Sequence, residues 1–122
     1  EVKEGLKINI PAVNITELNK VHTALHAALH HTISFITLSE HGVYYAQGEQ
    51  QKLIPTHIRT ISDVSGAGDT VIAVASLVYA TTQDMNVAAE MANIAGGMVC
   101  ELVGTAPIHK EAFEMEAIRL LA

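Results

Sequence analysis

Residues 66–69 read Gly-Ala-Gly-Asp and open a run, through Thr82, that is almost wholly apolar. Two residues without side chains let backbone N–H groups approach a ligand closely. The N-terminus of a following helix adds partial positive charge. Such a turn stabilises an anion, and a phosphate suits it. Asp69 is then misplaced in a mere phosphate holder, because its carboxylate would repel the bound group. The conflict disappears if the phosphoryl group is being transferred. In-line transfer needs a base beside the attacking hydroxyl, so cradle and acid serve different atoms of one reaction. A structural alternative stands beside this reading: Asp is a common helix cap, and glycine turns before helices are ordinary. Four residues alone do not decide between them.

Two familiar phosphate motifs do not fit. A P-loop requires a lysine after its second glycine, and none follows here; a dinucleotide fingerprint requires a third glycine where Val71 stands. Elsewhere, His22, His26 and His30 recur every four residues, with His31 adjacent. That spacing can chelate a transition metal. No carboxylate or cysteine at the neighbouring helical positions completes a set, so a solvated polar face is expected. Cys100, in an apolar segment, is expected to be buried and inert. Tyr44 and Tyr45 are expected to pack in a hairpin rather than stack on bases.

The elements that must position the turn follow from periodicity. Residues 14–31 predict an amphipathic helix, with Asn14 and Glu17 as a capping-box-like start and Leu18, Val21, Leu25 and Leu29 as its stripe. Residues 32–39 predict a strand, and further short strands are expected around Gly42 and Gly48. Residues 57–65 predict another strand leading into the glycine turn. The helix from Gly68 to Thr82 is apolar on all sides, as if packed on both. Residues 85–104 predict a helix with Val87, Met91, Ala95, Met98 and Leu102 on one face and Gly104 as its C-cap. Residues 109–122 predict a terminal amphipathic helix. Strands and helices alternate first and helices crowd later, so the fold class is α/β with a sheet covered by helices.

Composition narrows the function. The 122 residues suit one domain or part of one, and 49% hydrophobic against 16% charged residues supply a real core. A net charge of -6 with no basic run argues against nucleic acid or an anionic membrane as partner. One cysteine excludes an internal disulfide and fits a reducing cytoplasm. No apolar run approaches a membrane span and the start is not a signal peptide. The first residue is not Met, so a piece of a longer chain is expected.

The stretch Asp63-Val-Ser-Gly-Ala-Gly-Asp69 resembles the D-T-x-G-A-G-D signature of the ribokinase-like sugar kinases, the phosphofructokinase-B family, with Val64 where Thr is usual. Residues 36–45 resemble the family's T-L-G-x-x-G turn, with Ser39 in place of the first Gly. Residues 91–106 resemble its late helix, which closes over the adenine. Within the family the chain is most similar to the heptose 7-phosphate kinase domain of ADP-heptose synthesis. The resemblance implies the C-terminal, nucleotide-side portion of a ribokinase-like three-layer αβα sandwich, spanning residues 1–122.

The resemblance also implies roles. Asp69 would be the catalytic base, and Gly66, Ala67 and Gly68 the anion hole. Thr37, Ser39 and Gly42 would line the phosphate and ribose side of the nucleotide, and Asn93 would approach the adenine; a plain helix-surface asparagine is the alternative there. Glu1 would end an N-x-x-E motif that organises magnesium and phosphates. Asp63 and Ser65, with carbonyls near Val99 and Gly104, would hold a monovalent cation. The implied ligands are ATP, Mg2+ and a sugar phosphate, most specifically heptose 7-phosphate, with a homodimer among the expected assemblies. The sugar-binding residues would lie in an N-terminal half that this chain lacks, and the chain alone is expected to be inactive and to expose apolar surface. Another sugar or nucleoside substrate, or a non-catalytic nucleotide-binding module on the same scaffold, remains the alternative.

Overall fold

The computed structural model describes residues 2–7, 9–56, 66–101 and 107–121. A short helix, α1 (Val2–Leu6), precedes the predicted one, α2 (Ile15–Leu29); no periodicity had marked it. Asn14 caps α2 as expected, its side chain accepting from the Glu17 N–H at 2.9 Å. Glu17 does not complete a box but accepts from Lys20 at 3.1 Å. The helix stops at His30, which adopts the left-handed conformation (φ 53°) and returns its N–H to the His26 carbonyl. Leu18 and Val21 are buried, Leu25 is half-buried and Leu29 is 65% exposed. The stripe fades because a 15-residue helix is about 22 Å long and a five-residue strand about 17 Å, so the last turn overhangs the sheet.

Among the described residues the sheet has three antiparallel strands in the order β1 (Ile33–Thr37), β2 (Val43–Gln47), β3 (Gln50–Ile54). Alternation along the central strand splits the core in two. Tyr44 and Ala46 face α2 and meet Leu18, whereas Val43 and Tyr45 face the opposite side together with Ile54. Both tyrosines are core residues: Tyr44 is 0% exposed and donates to Asn19 Oδ1 at 2.8 Å, while Tyr45 donates to Asn86 Oδ1 at 3.3 Å. This is the packing role expected for them.

The opposite side of the sheet is covered by α3 (Ala67–Thr82) and α4 (Met85–Cys100), with α5 (Lys110–Leu121) resting on α4. Two residues join α3 to α4: Gln83 in the left-handed conformation and Asp84, whose carboxylate caps α4 by accepting from the Val87 N–H. The layers are therefore helix, sheet, helices, as the α/β reading required.

Two helix faces differ from expectation. On α4 the predicted face was Val87, Met91, Ala95, Met98 and Leu102. Of these Ala95 is buried, Met91 and Met98 are half-buried, and Val87 is 37% exposed; Leu102 lies outside the described residues. The fully buried positions are Ala88, Ala89, Ala92, Ile94, Ala95 and Val99. α4 packs against both the sheet and α3, so its interior is broad, and alanines let two backbones approach. α3 buries Val71 and Ala75 but leaves Leu77 69% exposed, because the described neighbours cover only one side of it. The predicted strand 57–65 and the Gly104 cap lie outside the described residues.

Candidate active site

The glycine turn is built as a cradle. Gly66 is the N-cap of α3 with φ 77° and ψ 0°, a left-handed conformation that glycine adopts without penalty, and no side chain caps the helix there. The first helical bond of α3 runs from the Thr70 N–H to the Gly66 carbonyl at 3.1 Å. The amides of Ala67, Gly68 and Asp69 precede it and have no acceptor within the helix. Asp69 therefore stands in the first turn, three residues past the N-cap, and is exposed. The simple reading of Asp69 as the helix N-cap does not hold.

Gly68 differs from Gly42 and Gly96 in what it leaves free. A Cβ there would meet no atom within 4 Å, and its φ lies outside the left-handed region. Neither packing nor backbone conformation of the described chain asks for glycine at 68. The open space beside it is what an approaching anion would fill.

The second predicted group sits at the end of β1. Thr37 is exposed and pairs in register with Val43; the chain then turns through Ser39–His41, closed by the Leu38 N–H to the Gly42 carbonyl at 2.9 Å. Ser39 has φ 54°, so a serine occupies a conformation that favours glycine, and the family pattern has glycine there. Glu40 beside it has its carboxyl held below the usual range, first by its own backbone N–H, then by the Ser39 hydroxyl and His41. Gly42 is buried with φ 96°, and a Cβ would lie 2.0 Å from the Ile54 carbonyl oxygen. Packing against β3 thus explains this glycine without any ligand.

α4 brings the two groups together. Asn93 is 5% exposed, not a surface residue, and its Nδ2 donates to the Pro55 carbonyl at 2.8 Å. It thereby pins the end of β3, against which Gly42 packs. Three residues on, a Cβ on Gly96 would lie 2.6 Å from Val71 Cγ2, so α3 can reach α4 only over a glycine. Asn93 and Gly96 are about 4.5 Å apart along the helix. The start of α3, and through Pro55 the Ser39–Gly42 turn, are therefore tied to one stretch of α4. Gly96, Gly97 and Pro55 were not flagged from sequence. The signal was available: adjacent glycines inside a helix are costly enough to require a packing reason.

Glu1, Asp63 and Ser65 lie outside the described residues. Cys100 is half-buried rather than fully buried. The histidines are not simply a solvated face: His26 and His30 are exposed, but His22 and His31 are half-buried and share the Ser34 hydroxyl. Among the described residues no group of three His, Cys, Asp or Glu is placed to hold a metal ion, and no helix is long and apolar enough to cross a membrane.

The arrangement is a three-layer α/β one with a glycine turn at a helix start and an acid in that helix's first turn. The chain belongs to the pfkB family of carbohydrate kinases, whose model matches residues 6–111. It is 45% identical over 83 residues to the bifunctional protein HldE of Helicobacter hepaticus, a match covering 67% of this chain and 17% of that relative. The chain thus spans about a sixth of that relative's length. Phosphofructokinase-2 from Escherichia coli, solved in complex with potassium, matches with a TM-score of 0.87 at 13% identity, covering all of this chain and 39% of that one. Fructokinase from Vibrio cholerae O395, with fructose, ADP and calcium bound, matches with a TM-score of 0.76 at 19% identity, covering 94% and 37% respectively. The fold is accordingly part of a ribokinase-like αβα sandwich.

Proposed function

We propose that the chain is the C-terminal, nucleotide-side portion of a kinase that transfers the γ-phosphoryl group of ATP to a sugar hydroxyl. The acceptor we assign is heptose 7-phosphate, phosphorylated at its anomeric oxygen to the 1,7-bisphosphate in the cytoplasm. The observation that carries the reading is Gly68, a glycine that the described fold does not need, one residue before an exposed carboxylate at a helix start. In the transfer an oxygen–phosphorus bond forms to the sugar as the bond to the ADP oxygen breaks. The hydroxyl proton passes to the Asp69 carboxylate. The amides of Ala67, Gly68 and Asp69, with the dipole of α3, hold the charge on the transferred group.

The Ser39–Gly42 turn and the Asn93 region supply the nucleotide's side of the site, α4 setting their distance from the cradle. Asn93 acts through Pro55, as a positioning residue. Magnesium, when bound, neutralises the phosphate oxygens; Glu1, assigned to it by resemblance, and Asp63 and Ser65, assigned to a monovalent cation, lie outside the described residues. The choice of heptose rests on the similarity to HldE and on the motif resemblance, since sugar recognition is assigned to sequence beyond this chain.

Asp69→Asn in the full-length kinase tests the mechanism. Phosphoryl transfer should fall by at least ~10²-fold while ATP affinity changes little; near-normal turnover would refute the base. Substrate is tested separately by comparing kcat/KM for heptose 7-phosphate, fructose 6-phosphate, ribose and adenosine. Preference for another acceptor would overturn the heptose assignment and leave the kinase standing.

A further inference from the structure

The end of β1 remote from the Ser39–Gly42 turn carries a second cluster. A cleft of about 410 Å³ lies between the C-terminal turns of α2, residues 31–32 and the Gly48–Glu49 turn of the β2–β3 hairpin. Four imidazoles meet there. The ring of His26 lies 6.2 Å from His22, 6.4 Å from His30 and 5.9 Å from His31, and His22 lies 5.7 Å from His31. Ser34 belongs to the strand face that packs on α2, an otherwise apolar face. Its hydroxyl lies 2.7 Å from His22 Nδ1 and 2.6 Å from His31 Nε2.

The hydrogen bonds specify where protons sit. The His31 carbonyl, 2.8 Å from His26 Nδ1, can only accept, so His26 carries its proton on Nδ1. The Ser34 hydroxyl has one proton, so it donates to one ring and accepts from the other. The remaining nitrogen of His31, Nδ1, is buried with no hydrogen-bond partner. A lone pair there is tolerable; an N–H, and with it a positive charge, would be buried without an acceptor. The bridge from His22 through Ser34 to His31 therefore suits neutral rings.

We propose that this cluster is a proton-controlled clasp: neutral, it ties the end of α2 to the start of β1, and on acidification it opens and frees that end of α2. The groups facing it are His22, His26 and His30 from α2, His31 and Ser34 from the β1 segment, and Glu49 from the hairpin turn. One carboxylate offsets at most one of four imidazolium charges. Burial, then the charges of His31 and His26, already hold His22 below the ordinary histidine value of 6.5. A lowered folded value means that the closed form binds fewer protons than the open form. The clasp is thus at full strength above about pH 6.5 and weakens as pH falls through the lower folded value.

Hydrogen exchange of the full-length protein tests this, after correction for intrinsic rates. Peptides covering residues 22–34 should lose protection at least ~10-fold between pH 7.5 and pH 5.5, while those covering 43–47 hold theirs. In a His22→Gln/His31→Gln variant that difference should vanish. Glu49→Gln, a change on an exposed turn outside the bridge, should move the opening to higher pH by removing the offsetting charge. Equal protection of residues 22–34 at both pH values would overturn the proposal. So would a double variant that keeps the full pH dependence, or an opening pH that Glu49→Gln leaves unmoved.

Discussion

Gly68→Ala separates a ligand-driven glycine from a structural one, because the two roles give effects of opposite sign. A methyl at this position meets nothing within 4 Å, and the backbone is outside the left-handed region. Within a helix turn, alanine restricts the unfolded chain more than glycine, a gain of about 0.4–1 kcal/mol. For a domain of about 150–250 residues that corresponds to about 1–4 °C in Tm. The same methyl projects into the space an anion must enter to reach the amides. Losing one charge-assisted hydrogen bond costs about 1.5–3 kcal/mol, or roughly 10- to 100-fold in affinity. The assay is thermal unfolding of the full-length kinase without ligand, paired with ATP titration and initial rates. A variant that is more stable but binds ATP more weakly fits the reasoning. A variant with unchanged affinity and rate refutes it, and the larger Gly68→Val change should then also be silent.

Other outcomes follow from the same geometry. Gly42→Ala should destabilise by roughly 2–4 kcal/mol, combining a left-handed φ with a methyl driven into the Ile54 carbonyl, and chemical denaturation should show the midpoint falling. Asn93→Ala should cost about 0.5–1.5 kcal/mol by removing the hydrogen bond to the Pro55 carbonyl, and should raise KM for ATP more than it lowers kcat. Burial pushes the Tyr44 hydroxyl up to about 12, so the folded state keeps its proton longer than the unfolded state does. Its contribution to stability is complete below about pH 10 and is lost as pH rises towards 12. Tyrosinate absorbance should therefore lag in the native protein and appear together with unfolding.

The glycine–acid motif, the capped start of α2, the hairpin residues and the α/β class were legible in the sequence because each rests on neighbours a few positions apart. A backbone that needs a cap or a left-handed turn states the need locally, as Asn14 and Gly66 do. The site's assembly was not legible. Asn93 meets Pro55, and Gly96 admits Val71, only because α4 is packed against both the sheet and α3. The same placement widened the core of α4 beyond the predicted Ala95 to Ala88, Ala89, Ala92, Ile94 and Val99 and left the predicted methionines half-buried, since contact width is set by neighbours and not by periodicity. Gly42 and Gly68 look alike in a motif, yet one is filled by the protein's own backbone and the other faces open space. The histidines show the same division. Their four-residue spacing was visible along the helix, but His31 and the shared Ser34 hydroxyl come from across the α2–β1 junction. Local chemistry was written in the order of residues; which groups share a proton, a carbonyl or an empty space was decided by packing.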